Sequence, residues 1–312
     1  MADMIVYLPS FLSAKIKWKE SEIYMQIVVS GLIMGCIYAL ASLGLVLIFK
    51  TTKVVNFAHG EMAMISTFIS FVFLSSFGYS YLVSLFLSLV FAAMFGLIVY
   101  LVFMKRIQSA PHLNQVVLTL GLFMMFNGAA GIVWGYQPAS FPEAFKGKPF
   151  HVGSIYISPN ELFIVVITIT LMLLFFLLFR FTRIGLAIRA CSQDMMASQL
   201  MGIKVTSVFM GAWAIGTMLG GIAGMMTAPV TFLSPNMMSE VLILAFAGAV
   251  LGGFVSLPGA VMGGLMIGVF ENLISYYIGP EMKIVFVFLL ILVVLYLRPQ
   301  GIFGGVKMVK KV

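Results

Sequence analysis

Charge is what this sequence has least of. Its 312 residues include 18 Lys and Arg, 10 Asp and Glu and 3 His, so charged side chains make up 9% of the chain, against about 25% in an ordinary soluble domain. A soluble fold is excluded at that density. Cysteine is nearly missing too. Cys36 lies in an apolar stretch and Cys191 in a polar, basic one, so a disulfide would have to join two different depths, and both are expected as free thiols. There is no CxxC pair and no His/Cys/Asp/Glu run with metal-ligand spacing, and no metal is expected. The GxxxxGK[ST] phosphate loop is also lacking, so no cofactor is expected in this chain and any ATP hydrolysis has to come from a partner. The N-terminus shows neither the basic start nor the small-residue cleavage site of a signal peptide, and the first apolar run is expected to stay as a helix.

Apolar residues fill the space, at 62% of the chain and a mean hydropathy of +1.13. A helix needs about 20 apolar residues to cross a hydrocarbon layer about 30 Å thick, and the runs here are that long. They are continuous rather than alternating, which excludes a transmembrane β-barrel. The expectation is an all-α, polytopic helical membrane protein with about 8–9 transmembrane or re-entrant segments. Spans are placed near residues 25–49, 61–77, 81–103, 115–134, 161–180, 207–228, 239–255, 258–278 and 284–297. Residues 1–24, interrupted by Pro9, read as an interfacial lead-in or a frayed tail, and 25–312 as the transmembrane domain.

The net charge of +8 does not point to nucleic acid, because the basic residues sit in short clusters between apolar runs, as orientation signals do. Lys105 and Arg106 form one cluster, Arg180, Arg183, Arg189 and Lys204 a second, and Arg298, Lys307, Lys310 and Lys311 a third. Even numbers of spans separate them, which places all three and the C-terminus in the cytoplasm, with 181–206 as a cytoplasmic loop and the proline-rich 135–160 as the external one. Lys15, Lys17 and Lys19 pull the N-terminus the other way. Either that cluster, diluted by Glu20 and Glu22, is overruled, or residues 50–77 enter and leave on one side.

Thirty glycines in a helical chain ask for a reason, and many stand four apart: Gly31 with Gly35, Gly220 with Gly224, Gly248 with Gly252, Gly259 with Gly263. Small residues at this spacing let membrane helices approach closely, and Gly31, Gly35, Gly252, Gly259 and Gly263 are read as helix-packing positions. Packing does not account for two interrupted apolar regions, one per half. KTTKVVNFAHGE breaks residues 31–61, and APVTFLSPNMMSE and GGFVSLPGA break residues 221–264. Breaks at corresponding places suggest an inverted internal repeat with a transport pathway near them. Asn56, His59 and Glu61 cluster at the first break, lining a pathway or forming an interfacial turn. His59 and Glu61 are two apart and face different sides of a helix, which argues against an acid/base pair or an HExxH site. Asn127 is read as an interhelical hydrogen bonder. Glu271, with Asn272 beside it and no basic residue within a turn, either lines the pathway or bonds across helices, or else is hydrated near the external interface.

In RFTRIGLAIRACSQDMMASQLMGIK, Ser192, Gln193 and Asp194 are placed to begin a helix, Ala197 and Met201 share a face, and Gly202 supplies the stop. A short helix held out from the membrane here suits a chain that receives force from a separate motor.

These residues carry a resemblance. RACSQDMMASQLMGIKV is similar to the coupling loop of permease subunits of ATP-binding-cassette importers of the branched-chain amino acid (LivH-like) family. GLIMGCIYALASLGLVLIFKTTKVVNFAHGEMAMISTF resembles its N-terminal signature, GGFVSLPGAVMGGLMIGVFEN its GG-x-x-S-x-x-G-x-x-x-GG pattern, and LRPQGIFG its closing RP-x-G-x-FG. The resemblance implies a non-enzymatic permease in the cell inner membrane. It would pair with a second homologous permease, two cytoplasmic ATP-binding subunits that use the ATP, and an extracytoplasmic substrate-binding protein. By position, Arg189, Ala190, Asp194, Ala197 and Gly202 match the loop that docks on the ATPase. Importers of urea, amides or aromatic acids share the pattern, and from residue physics alone an ion-coupled secondary transporter is the alternative.

Overall fold

The computed structural model describes residues 10–153 and 155–304, with side-chain environments from residue 22 onward except at residue 152. Twelve helices follow in order among them: α1 (Ser10–Thr52), α2 (His59–Ser75), α3 (Tyr81–Val99), α4 (Lys105–Ile107), α5 (His112–Trp134), α6 (Pro159–Phe181), α7 (Arg183–Gln193), α8 (Met195–Leu200), α9 (Val205–Thr231), α10 (Met237–Gly252), α11 (Leu257–Tyr277) and α12 (Lys283–Leu297). A π-helical turn, Tyr100–Met104, joins α3 to α4. Seven helices are long and apolar enough to cross a membrane, and α2 and α10 are apolar but shorter. The chain is a polytopic helical membrane protein.

The bundle has two ends. At one, the Gln26 side chain of α1 accepts from Tyr156 N and donates to Tyr156 O in a small antiparallel hairpin, β1 (Phe150–Val152) and β2 (Ile155–Ile157). At the other, Lys50 of α1 lies over the Phe179 ring near the end of α6. The first is called the loop face and the second the basic face. The helix α1 therefore runs from loop face to basic face, and residues 10–25 extend past Gln26 on the loop-face side. Lys307, Lys310 and Lys311 lie outside the described residues.

Burial explains which helices sit at the centre. In α1 83% of the most apolar window is buried, whereas in α12 only 11% is. The outer helices turn bare apolar side chains outward, including Ile132, Met124, Leu113 and Leu292. Water would penalise such a surface and lipid does not. The centre is built on glycine. A Cβ on Gly35 would stand 2.9 Å from Leu265 O, one on Gly268 2.3 Å from Gly35 Cα, and one on Gly31 2.8 Å from Val269 Cα. The α1 and α11 backbones thus touch along their length. The α10–α11 seam is as tight: a Cβ on Gly252 would be 1.9 Å from Gly259 O, on Gly259 2.3 Å from Gly252 O, and on Gly263 2.0 Å from Gly248 O. Apolar helices gain nothing by hiding from lipid, so this backbone proximity is what holds the seams.

The packing pattern has an exchange in it. Helix α1 packs on α9, α10 and α11, and α9 packs on α1, α2 and α3. The short helices α2 and α10 each follow the long helix of their own half, and they touch each other.

Candidate functional site

The first break begins where α1 ends. Lys53 takes a left-handed conformation, φ 61°, and residues 54–58 run back into the bundle without helix before α2 starts at His59. Asn56 makes that return possible. It is fully buried, and its Oδ1 accepts from Ala58 N at 3.1 Å, which satisfies one of the free donors entering α2. The His59 ring fits between α1 and α9: a Cβ on Gly44 or on Gly220 would come within 3.0 Å of it. Gly44 and Gly220 are interior positions of their helices, so α2 starts inside the bundle. Its other end reaches the loop face, where Phe71 meets Phe141. Residues 53–75 therefore connect one face to the other, and they do not return to the face they left.

Glu61 points away from His59, as their spacing dictates. It is buried, and Asn127 of α5 donates to its Oε2 at 3.3 Å. The same Asn127 amide faces Pro235 O and Asn236 Oδ1, each at 3.1 Å. Asn236 immediately precedes α10. One amide thus ties the first turn of α2 to the entry of α10, so the two breaks meet.

Glu271 is joined to other helices. It is buried, the Tyr38 hydroxyl of α1 donates to its Oε2 at 2.8 Å, and Lys283 Nζ of α12 lies 3.1 Å from its Oε1. Lys283 also pairs with Glu240 in the first turn of α10. Four helices are joined through one polar chain, Tyr38–Glu271–Lys283–Glu240. Sequence reading missed Tyr38, Glu240 and Lys283. The two charges fall at span ends, where a boundary role accounts for them, and the Gly279–Pro280 turn that folds Lys283 back toward Glu271 was the only signal available. Asn272 instead donates to Ile27 O at 2.8 Å across the α1–α11 seam.

On the basic face, residues 181–206 form two helices rather than one. Ser192 and Gln193 close α7, and Asp194 alone caps α8, its Oδ1 accepting from Ala197 N at 2.9 Å. Gly202, φ 82°, ends the turn after α8 in the left-handed conformation that glycine adopts freely. Ala190, Gln193, Asp194, Ala197 and Met201 line a groove of 210 Å³ between α7 and α8. Arg189 turns inward: Nη1 donates to Phe179 O at 2.6 Å, capping the end of α6. Cys191 is buried, and desolvation pushes its thiol pKa up. Cys36 and Cys191 are both free thiols.

Comparison with known proteins follows the same lines. Residues 27–295 match the family model described as branched-chain amino acid transport system / permease component. The chain is 28% identical over 295 residues to the high-affinity branched-chain amino acid transport system permease protein LivH of Salmonella typhimurium, covering 90% of this chain and 96% of that one. Against the corresponding permease protein BraD of Pseudomonas aeruginosa the identity is 28% over 294 residues, with the same coverage. Against the probable branched-chain amino acid transport permease protein LivH of Methanocaldococcus jannaschii it is 29% over 291 residues, covering 88% and 90%. No solved structure matches. With the family model reaching from the first crossing helix into the last and including both breaks, the chain belongs to the permease components of branched-chain amino acid transport systems.

Proposed function

We propose that this permease imports branched-chain or related amino acids with energy from ATP, pairing with a second, homologous permease. Two ATP-binding subunits would dock on its basic face and an extracytoplasmic binding protein on its loop face. The basic face is then cytoplasmic. Lys50, Lys53, Lys105, Arg106, Arg180, Arg183, Arg189, Lys204 and Arg298 gather there, which is the distribution that sets orientation. The C-terminus follows Arg298 on that side.

One observation carries the reading. Helix α8 lies among these charges, yet Met196, Leu200 and Met201 are 74%, 84% and 83% exposed. Flexible thioethers on a water-facing helix suit a protein partner, and the groove lined by Ala190, Asp194 and Ala197 beside them gives that partner a shape to hold. Arg189 and Gly202 act from within, one fixing α7 to α6 and the other ending α8. Force on α7 and α8 reaches α6 through Arg189 and α9 through Lys204, and α9 carries Gly220 against His59. The pathway runs along the breaks, past Asn56, His59, Glu61, Asn127 and Glu271. The exchange of α1–α2–α3 with α9–α10–α11 in the packing supports an inverted repeat.

The test is uptake of leucine by proteoliposomes holding the complete assembly. Uptake that requires ATP, both ATPases and the binding protein supports the proposal. Uptake by this chain alone on an ion gradient would replace it with ion-coupled transport, and uptake of urea, amides or aromatic acids in place of leucine would correct the substrate.

A further inference from the structure

We infer that the cavity where the two interrupted segments meet is a transit site for a zwitterionic amino acid with an aliphatic side chain. This deepens the transport reading above and rests on it. The cavity measures 210 Å³ and is lined by Leu45 of α1, by Val55, Asn56 and Phe57 of the non-helical stretch before α2, by Leu242, Ile243 and Phe246 of α10, and by Phe288 of α12. Both halves of the chain therefore build it. A dry apolar cavity of about 150 Å³ accepts a molecule the size of benzene, so the side chain of valine, leucine or isoleucine fits with room to spare.

The walls have no charge and little polarity. Asn56 is the one polar residue among them, and its Oδ1 is already engaged by Ala58 N. A polar or charged side chain placed here would lose its hydration without gaining a partner, which is costly. Selection against such side chains is built into the chamber, apart from whatever the binding protein selects.

The charges needed for the amino-acid head stand on the same two helices, one step toward the loop face. Glu240 precedes Ile243 by three residues on α10 and Lys283 precedes Phe288 by five on α12, roughly 4.5 Å and 7.5 Å of helix rise. Their side chains pair with each other while remaining 43% and 23% exposed. A zwitterion carries the same two charges. Its carboxylate takes the place of Glu240 at the Lys283 ammonium, and its ammonium takes the place of Lys283 at Glu240, so the exchange leaves net charge unchanged. Lys283 stays anchored throughout by Glu271, 3.1 Å away, which Tyr38 holds from α1. An apolar chamber beneath a separable ion pair has the layout of an aliphatic amino acid.

The experiment places a thiol in the chamber of the complete assembly in nanodiscs, with Cys36 and Cys191 replaced by Ser. Ile243→Cys is treated with a small methanethiosulfonate reagent. Under turnover with binding protein and ATP, leucine is expected to slow modification at least fivefold, while glutamate leaves it unchanged. Met124→Cys, 73% exposed on α5 and away from the chamber, should show no leucine effect. Leu242→Cys is the second reporter if Ile243→Cys fails to assemble. In parallel, Lys283→Met should raise the KM for leucine uptake at least tenfold. An assembly that takes up leucine with ATP while leucine leaves both cysteines unprotected overturns this inference and assigns the chamber to lipid or to the second permease. A parent assembly with no ATP-dependent leucine uptake removes the transport reading itself.

Discussion

Lys283 offers the sharpest quantitative test of how the bundle is held. Its ammonium serves two carboxylates in unlike surroundings: the Glu240 side chain is 43% exposed and the Glu271 side chain 10%. Water screens the first pair, which is worth about 1 kcal/mol or less. The second is different. In Lys283→Met, Glu271 keeps only the Tyr38 hydroxyl at 2.8 Å, and stranding a buried charge costs about 3–5 kcal/mol. Glu240→Gln should therefore cost less than about 1 kcal/mol, and Lys283→Met several times more. Adding Glu271→Gln to Lys283→Met removes the stranded charge while leaving Tyr38 an acceptor, and should restore stability to within about 1 kcal/mol of the parent. Thermal melting of the purified chain in mild detergent, followed by fluorescence-detected size exclusion, reads the three variants beside the parent. Equal losses in Lys283→Met and Glu240→Gln, or no recovery in the double variant, would refute the argument that burial of Glu271 sets the cost.

Other outcomes follow from geometry already described. Gly252→Ala puts a methyl 1.9 Å from Gly259 O and should abolish accumulation of folded protein, whereas Gly121→Ala, with nothing within 4 Å of its Cβ, should melt no lower than the parent. Asp194→Ala removes the cap of α8, worth about 1 kcal/mol locally. It should lower leucine uptake and ATPase stimulation by the binding protein while the melting profile of the bundle stays unchanged. Met196→Cys should react with an impermeant maleimide only from the cytoplasmic side, and Phe150→Cys only from outside; the reverse would invert the orientation. Native Cys191 should lag behind Met196→Cys at neutral pH, because its raised pKa keeps the reactive thiolate scarce. Its labelling rate should climb as pH rises toward that pKa.

The spans were legible because length and hydropathy are local properties: IVFVFLLILVVLYL names α12 by itself. The cap of α8 was legible for the same reason, since Asp194 and the free N–H groups that it serves are three residues apart. The breaks showed as polar and proline-rich runs inside apolar regions. That they meet was not legible, because Asn127 of α5 joins Glu61 to Asn236 across three separate helices and no local pattern records it. Lys283 and Glu240 were hidden by a sufficient simpler account, charges at span ends. The hairpin at Phe150–Ile157 did carry a turn signal, Val152–Gly153–Ser154 between aromatic and β-branched residues, but the surrounding prolines and lysines drew it into the loop. The start of α1 at Ser10 was masked by the polar residues from Lys15 to Glu22, which read as an end to the span and are instead a continuation of the helix beyond it.

That continuity turns α1 into a beam. From Gln26, held by the hairpin, to Lys50, resting on Phe179, the helix covers about 36 Å at 1.5 Å per residue, and no proline interrupts it. A beam transmits rotation without absorbing it. A tilt of about 5° at the basic face displaces the far end by about 3 Å over that length, comparable to the width of one water molecule. Because Gly31, Gly35 and Gly44 remove the side chains that would otherwise interlock it with α11 and α9, its neighbours bear on smooth backbone. A displacement of the basic face would then reach the hairpin at the loop face as a change of angle.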